Sequence, residues 1–362
     1  MRRKKGLKSG FTTGACAAAA AKAATLRLLT CQGSTCIDVP FPNGSKVTFH
    51  IHGSGVKGEK VWASVIKEAG DDPDVTNMAE IRVDVREIKG KKGEDARIIV
   101  IGGQGVGVIT KPGLPVSVGK PAINPVPMKM IHEAVREGIS ESKTRITDLE
   151  VTVSVPDGER IAKKTLNSRL GIIGGISILG TNGIVQPVSS EAWRATIRMS
   201  MDVAQAVGLR QIVICTGRSS EKVMMNCLQL PQQAYVMMGD YIRFSITEAK
   251  RHGFEEVHIG AQWAKMVKIA MGIPQTHVRH GVIQVQALVA LLGEMGLADK
   301  FSIEGANTAR DILLRLQRNK RDELIQGICK EAWRNIDSYL SGIRTRCYLI
   351  GYEGKEVIAT SG

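Results

Sequence analysis

Aromatic side chains are scarce in this chain of 362 residues, at 4% of the total. That leaves few platforms on which single-stranded bases could stack, and no helix-turn-helix, zinc-finger or RNA-binding signature is present, so no specific nucleic-acid partner is expected. Acid is also in short supply, with 35 Asp and Glu against 49 Lys and Arg, for a net charge of +14. An anionic partner is expected. The basic residues are spread along the chain and cluster only at Arg2 to Lys5, Lys89 to Lys92 and Arg310 to Arg321. A small polyanion suits this pattern, and a solvated basic surface is the alternative. No stretch approaches the roughly 20 apolar residues that span a bilayer, so no membrane association is expected.

Cysteine is sparse and odd in number, at seven: Cys16, Cys31, Cys36, Cys215, Cys227, Cys329 and Cys347. The basic MRRKK start leads into no unbroken apolar core, because Thr12, Thr13, Gly14 and Lys22 interrupt the run, so it does not read as a secretory leader. Reduced thiols in a cytoplasmic protein are the expectation. The spacing of Cys31 and Cys36 fits no standard zinc knuckle, and no structural metal site is expected.

What is present in excess is alanine, in SGFTTGACAAAAAKAA, residues 9–24. Alanine is the best helix former, and side chains this small suit a helix packed tightly between larger elements. Thr12 or Thr13 is a good N-cap, and Gly14 would leave first-turn amides uncovered for an anion. Both readings stand at this point.

Short β-branched segments separated by turns come next: CIDVPFP, KVTFHIHG, EKVWASVIKEAG, AEIRVDVREI, ARIIVIG and DLEVTVSV, with one amphipathic helix starting near Pro127. They predict an α+β domain over residues 1–190, mostly an antiparallel sheet with helices. From EAWRATIRMSM onward helix and strand alternate, ending in a hairpin at RCYLIGYEGKEVIAT. Residues 191–362 therefore read as a Rossmann-like α/β domain with a parallel sheet.

Four stretches are candidates for chemistry. Residues 102–127, GGQGVGVITKPGLPVSVGKPAINPVP, carry glycines at two-residue spacing and five of the 12 prolines, but no helix comes directly after the glycines, which excludes a dinucleotide fingerprint. A loop lying against a flat ligand and a structural crossover are both open. NSRLGIIGGISILGTNGIV, residues 167–185, is glycine-dense, which suggests a backbone approaching something closely, with Arg169 and Thr181 able to meet carboxylates. GDDPDVT, residues 70–76, reads as a capped turn or as a polar anchor, with Asp72 a candidate base; His277 and His280, in THVRH, read as hydrogen-bonding residues rather than metal ligands. In the C-terminal half, strands end at Thr216-Gly217 and at Gly239-Asp240. Asp240 lies about 23 residues beyond Gly217, near the interval at which an acidic residue meets a ribose hydroxyl. Without a full glycine fingerprint, a nucleoside cofactor such as S-adenosylmethionine is expected over a dinucleotide, held by Gly217, Arg218, Gly239, Asp240 and Gly260.

Taken together, SGFTTGACAAAAAKAA, AGDDPDVT, LNSRLGIIGGISILGTNGIV and the closing YLIGYEGKEVIA resemble one family, the CbiD family of anaerobic cobalamin biosynthesis, over essentially the whole chain. The resemblance implies methyl transfer from S-adenosylmethionine to carbon 1 of cobalt-precorrin-5B, giving cobalt-precorrin-6A. Cobalt would enter only inside the substrate, a flat macrocycle ringed by acetate and propionate groups. Thr12, Thr13, Gly14, Lys22, Arg169 and Thr181 would then meet the substrate, with Asp72 and His277 as catalytic candidates. The family usually has Gly-His-Xaa-Gly-Lys where this chain reads GAQWAK, residues 260–265. That departure keeps a second reading open, a tetrapyrrole-binding relative with altered catalysis. Oligomeric state is left open, a homo-oligomer included.

Overall fold

The computed structural model describes residues 7–93, 97–144, 146–276, 285–294, 306–352, 354 and 356–362. They fall into two units, Met1–Ser189 and Ser190–Gly362.

At the centre of the first unit runs the alanine helix, α1 (Thr13–Thr30), in which every residue from Thr13 to Thr25 is buried. It ends where Cys31 takes a left-handed conformation and returns its N–H to the Arg27 carbonyl. A hairpin of β1 (Cys36–Pro40) and β2 (Lys46–His50) comes next, then β3 (Gly53–Lys57), β4 (Lys60–Ile66), β5 (Glu80–Gly93), β6 (Ile98–Gly102), helix α2 (Pro125–Ser142) and β7 (Ile146–Ser154). The last five strands form one sheet in the order β3-β4-β5-β7-β6, antiparallel except for the β7/β6 pair. Period-two alternation decides which face is buried: Ala63 and Val65, Ile81, Val83 and Val85, and Leu149, Val151 and Val153 share one core with the alanines of α1. Helix α2 packs on α1 with Met130, Ile131, Ala134 and Val135.

Small side chains are thus what lets α1 sit between a sheet and a second helix. Lys22, the one charge in the run, is 1% exposed. Its ammonium donates to the Asp38 carbonyl at 2.9 Å and pairs with Glu137 at 2.9 Å and Glu141 at 2.8 Å, so all three donors are used in tying α1 to the hairpin and to α2. The expectation that Lys22 meets a ligand is corrected by this geometry.

In the second unit the order is α3 (Ser190–Ala206), β8 (Gln211–Cys215), α4 (Arg218–Leu228), β9 (Tyr235–Met237), α5 (Ile242–Arg251), β10 (Glu256–Gln262), α6 (Trp263–Ala270), α7 (Val285–Glu294), α8 (Ala309–Arg318), α9 (Asp322–Tyr339), β11 (Arg344–Ile350) and β12 (Val357–Ser361). The sheet runs β9-β8-β10-β11-β12, parallel except for the closing β11/β12 hairpin. Ile212 and Ile214 of β8 enter one apolar cluster and Val213 and Cys215 the other, so both faces are covered and the strand reads as a continuous apolar run. Among the described residues no helix is long and apolar enough to cross a membrane, and none of their His, Cys, Asp and Glu side chains form a group of three that could hold a metal ion. None of the seven cysteines is in a disulfide.

Two outcomes are expected for the first unit. Ala19→Leu inserts volume where there is none and should lower stability by about 1–3 kcal/mol, read from chemical denaturation; an unchanged unfolding free energy would show slack beside α1. Burial alone would raise the Glu137 carboxyl, but its bonds to Lys22 and Lys46 hold it below the ordinary value of 4.5. A carboxyl lowered by folding adds stability above its unfolded pKa, and this is lost as pH falls through the folded one. Stability should therefore decline as pH drops below about 4.5, and Lys22→Met should flatten that decline; an acid limb of unchanged slope would contradict the assignment.

Candidate functional site

A half-open pocket of about 170 Å³ lies at the start of α1, lined by Thr12, Thr13, Lys67, Asp74, Asn167 and Ser177 among others. It brings together three segments that are far apart in sequence: the SGFTTGA start, the GDDPDVT turn and the glycine-rich stretch after Asn167.

Thr12 is the N-cap of α1, accepting the Ala15 amide on its hydroxyl at 3.2 Å. The Thr13 hydroxyl accepts the Leu179 amide at 2.8 Å and lies 3.3 Å from the carbonyls of Ser177 and Leu179. Gly14 donates its amide to the Leu179 carbonyl at 3.0 Å. A Cβ on Gly14 would come within 2.6 Å of the Pro127 ring, so the glycine makes room for α2. The expectation of open first-turn amides is therefore corrected: those of Gly14 and Ala15 are both used inside the fold. Thr12 and Thr13 are 4% and 2% exposed, and they face the pocket as wall.

Within GDDPDVT the residue at the pocket is Asp74. It accepts the Lys67 ammonium at 2.8 Å and both the amide and the hydroxyl of Thr76 at 2.8 Å. Burial alone would push this carboxyl up, but Lys67 and Thr76 hold it below the ordinary aspartate range. Asp72 instead accepts the Val188 amide at 3.1 Å, which fixes the turn to the chain after the glycine-rich stretch and does not bring it to the pocket wall. Arg169 is half-buried and Thr181 exposed, and neither lines the pocket. Cys16, one turn into α1, is pushed up to about 12 by burial, so its thiol is not a nucleophile near neutral pH.

The glycine density of the two long stretches has a local cause. Gly105–Val106 pairs with Gly175–Ile176, and Val108–Ile109 with Ile172–Ile173. A Cβ on Gly175 would lie 2.1 Å from the Gly105 carbonyl oxygen. At Gly175 the missing side chain admits the Gly105 backbone, while Gly102, Gly171, Gly180 and Gly183 make room for the side chains of Pro121, Lys111, Thr12 and Phe41. A wider groove of about 740 Å³ on the outer face of the five-stranded sheet, lined by Lys57, Lys60, Arg82 and Arg86 with Asp84 and Glu59, includes none of the candidate residues.

In the second unit the carboxyl ends of β8, β9 and β10 gather a different set. Connections leave β8 toward β9 on one side and reach β10 on the other, and in open parallel sheets ligands bind at such a reversal. Gly217 starts α4, and a Cβ built there meets no atom within 4 Å. Arg218 is exposed beside it. Gly239, at φ +58, has the Trp193 indole where a side chain would be. Asp240 accepts the Thr276 hydroxyl at 2.9 Å and pairs with Lys265 at 3.2 Å. Lys265 also donates to the carbonyls of Thr216 at 3.2 Å and Gly239 at 3.1 Å, tying two strand ends together. Gly260 is buried in β10, and a Cβ there would strike Met224 at 2.6 Å, so it is a packing glycine and not a cofactor contact. His277 and His280 lie outside the described residues.

Lys67, Asp74, Asn167 and Lys265 do not stand out in the sequence. Lys67 had a signal: the alternation that buries Ala63 and Val65 places position 67 on the same inward side. Lys265 had none, since its three acceptors come from loops that only the sheet order brings together.

Known proteins are similar to this chain over most of its length. The family model described as CbiD matches residues 1–187, and the one described as CbiD, C-terminal domain, matches residues 275–361. Among curated proteins, the chain is 45% identical over 98% of its length to the cobalt-precorrin-5B C(1)-methyltransferase of Desulfotalea psychrophila, covering 98% of that protein. It is 44% identical over 96% of its length to the protein of the same name from Geobacter sulfurreducens, covering 97% of it. A crystal structure of a cobalamin biosynthesis protein (cbiD) from Archaeoglobus fulgidus matches at 29% identity and a TM-score of 0.41, over 73% of this chain and 79% of that one.

Because the Thr13 hydroxyl, itself 2% exposed, accepts the part-buried Leu179 amide, Thr13→Val should cost about 1 kcal/mol of stability. Urea unfolding checks this, and an unaltered midpoint would mean that the α1–Leu179 junction carries no load.

Proposed function

The chain belongs to the CbiD family, and from that membership we propose that it methylates carbon 1 of cobalt-precorrin-5B with S-adenosylmethionine as donor, giving cobalt-precorrin-6A. One observation carries the reading: near-complete collinear similarity, 45% identity over 98% of both chains, to a protein named for that reaction. The pocket at α1 supports it, since three of the four stretches that resemble the family meet there. An anionic substrate also suits the charge of +14. Cobalt belongs to this substrate.

For the donor, we read the second unit as a Rossmann-like sheet whose reversal point takes a nucleoside. The residues present fit such a group. Gly217 leaves open space where any side chain would stand, and Asp240 offers a carboxylate at the end of the next strand, where a ribose hydroxyl is bound in such sheets. Gly217, Arg218 and Asp240 would hold it, with Lys265 keeping Asp240 and the Thr216 and Gly239 carbonyls in place. S-adenosylmethionine supplies a methyl group already activated by its sulfonium. The protein's part is alignment: holding reactants in near-attack geometry is worth up to about 7–11 kcal/mol. No side chain is assigned as base, because the Asp74 carboxylate is taken up by Lys67 and Thr76 and Asp72 is engaged by Val188.

A second reading, a tetrapyrrole-binding relative without transfer, is favoured by one feature: Asp240 is already engaged by Lys265 and Thr276. Incubation with cobalt-precorrin-5B and S-adenosylmethionine separates the two. A singly methylated product by mass spectrometry is expected; none, beside an active control enzyme, would contradict transfer. The donor site has its own check. Gly217→Val fills the open space at a cost to the α4 N-terminus of about 1 kcal/mol. It should weaken S-adenosylhomocysteine binding at least about tenfold by calorimetry; equal affinity would move the donor elsewhere.

A further inference from the structure

We propose that the pocket at the start of α1 is a subsite for one carboxylate arm of the substrate, with the Lys67 ammonium as its cation. The inference rests on the methyl-transfer reading and gives that reading a point of recognition. Size argues first. At about 170 Å³ the pocket is below the roughly 300–1,000 Å³ of sites that enclose a whole drug-sized ligand, and suits a small group such as a carboxyethyl arm rather than a macrocycle. The ring would stay outside and one arm would enter.

Chemistry argues second. Lys67 is 1% exposed, and a buried ammonium is costly unless its donors are met. It has three donors, yet among the described residues its ammonium has one acceptor, Asp74. Asp74 in turn is occupied three times over, by Lys67 and twice by Thr76. Lys67 lines a pocket that is also lined by the hydroxyl residues Thr12, Thr13, Thr76 and Ser177. The Thr12 hydroxyl accepts the Ala15 amide and so keeps its own proton to donate. The positive end of the 18-residue α1 stands at the same wall. A carboxylate entering here would share Lys67 with Asp74, two acceptors on one ammonium.

That sharing gives the site a signature that a structural ion pair lacks. Removing the cation should weaken binding, whereas removing the competing carboxylate should strengthen it. The probes are cobyrinic acid, a cobalt corrin with free carboxylates, and its heptamethyl ester, titrated against the full chain by visible absorbance. The wild-type protein should prefer the acid at least tenfold. Lys67→Met should lose most of that preference, and Asp74→Asn should bind the acid as tightly as wild type or more tightly. Equal affinity of Lys67→Met and wild type, a parallel fall in both variants, or failure of the wild type to prefer the acid would each overturn the proposal. Should Lys67→Met not fold, Val185→Trp adds bulk to the pocket lining while leaving Lys67 and Asp74 unchanged and should abolish the preference; if the preference survives, the proposal fails. Turnover of cobalt-precorrin-5B by the wild type is measured alongside. If turnover is present and the variants do not discriminate, the subsite is wrong and the reaction stands; if turnover is absent, the reaction itself is wrong.

Discussion

A helix buried on every side has no room for side chains, and the first unit is built around that restriction. Sheet and α2 press on α1 from opposite directions, so Ala15 to Ala24 stay small, Gly14 yields to Pro127, and the single charge in the run is consumed by Asp38, Glu137 and Glu141. The start of α1 is then fixed by Thr13 on Leu179, which draws the glycine-rich stretch to the helix and closes one wall of the pocket. Lys67 reaches the same place because β4 runs alongside α1 and its inward alternation continues past the strand end. The pocket is a consequence of close packing.

Much of this architecture could be read from the residues. Alternation in KVWASVI and AEIRVDV foretold strands with one buried face, and the strand-helix rhythm after residue 190 foretold parallel pairing, seen in the β9-β8-β10-β11 order. Local pattern served where local pattern decides. It failed where a partner distant in sequence decides. The glycines around Gly105 and Gly175 suggested a close ligand because nothing local shows that Gly175 faces the Gly105 backbone and Gly105 the Val155 carbonyl. Lys22 looked available because its three acceptors come from elements later in the chain. Within GDDPDVT three carboxylates are equivalent on paper, and only the fold gives Asp74 to Lys67 and Asp72 to Val188.

The basic excess also means something different in three dimensions. Lys22, Lys67 and Lys268 are all at least nine-tenths buried, and Lys265 is bound at three points. Lys268 donates to the Thr276 carbonyl at 2.8 Å, and burial pushes its ammonium below the ordinary lysine value. These lysines act as cross-ties, and part of the +14 is therefore internal. Lys67 differs from the others in lining the pocket at the start of α1. A net charge points to an anionic ligand; the site is set by which cation is left incompletely satisfied.

The central claim is that the substrate is read where the start of α1, the GDDPDVT turn and the stretch after Asn167 converge. Hydrogen exchange with and without cobyrinic acid tests it most directly, because the competing surface is a groove on the outer sheet face. Exchange should slow chiefly in residues 10–16, 67–76 and 165–185. Slowing confined to residues 57–60, 82–86 and 103–104, with the first set unchanged, would contradict it.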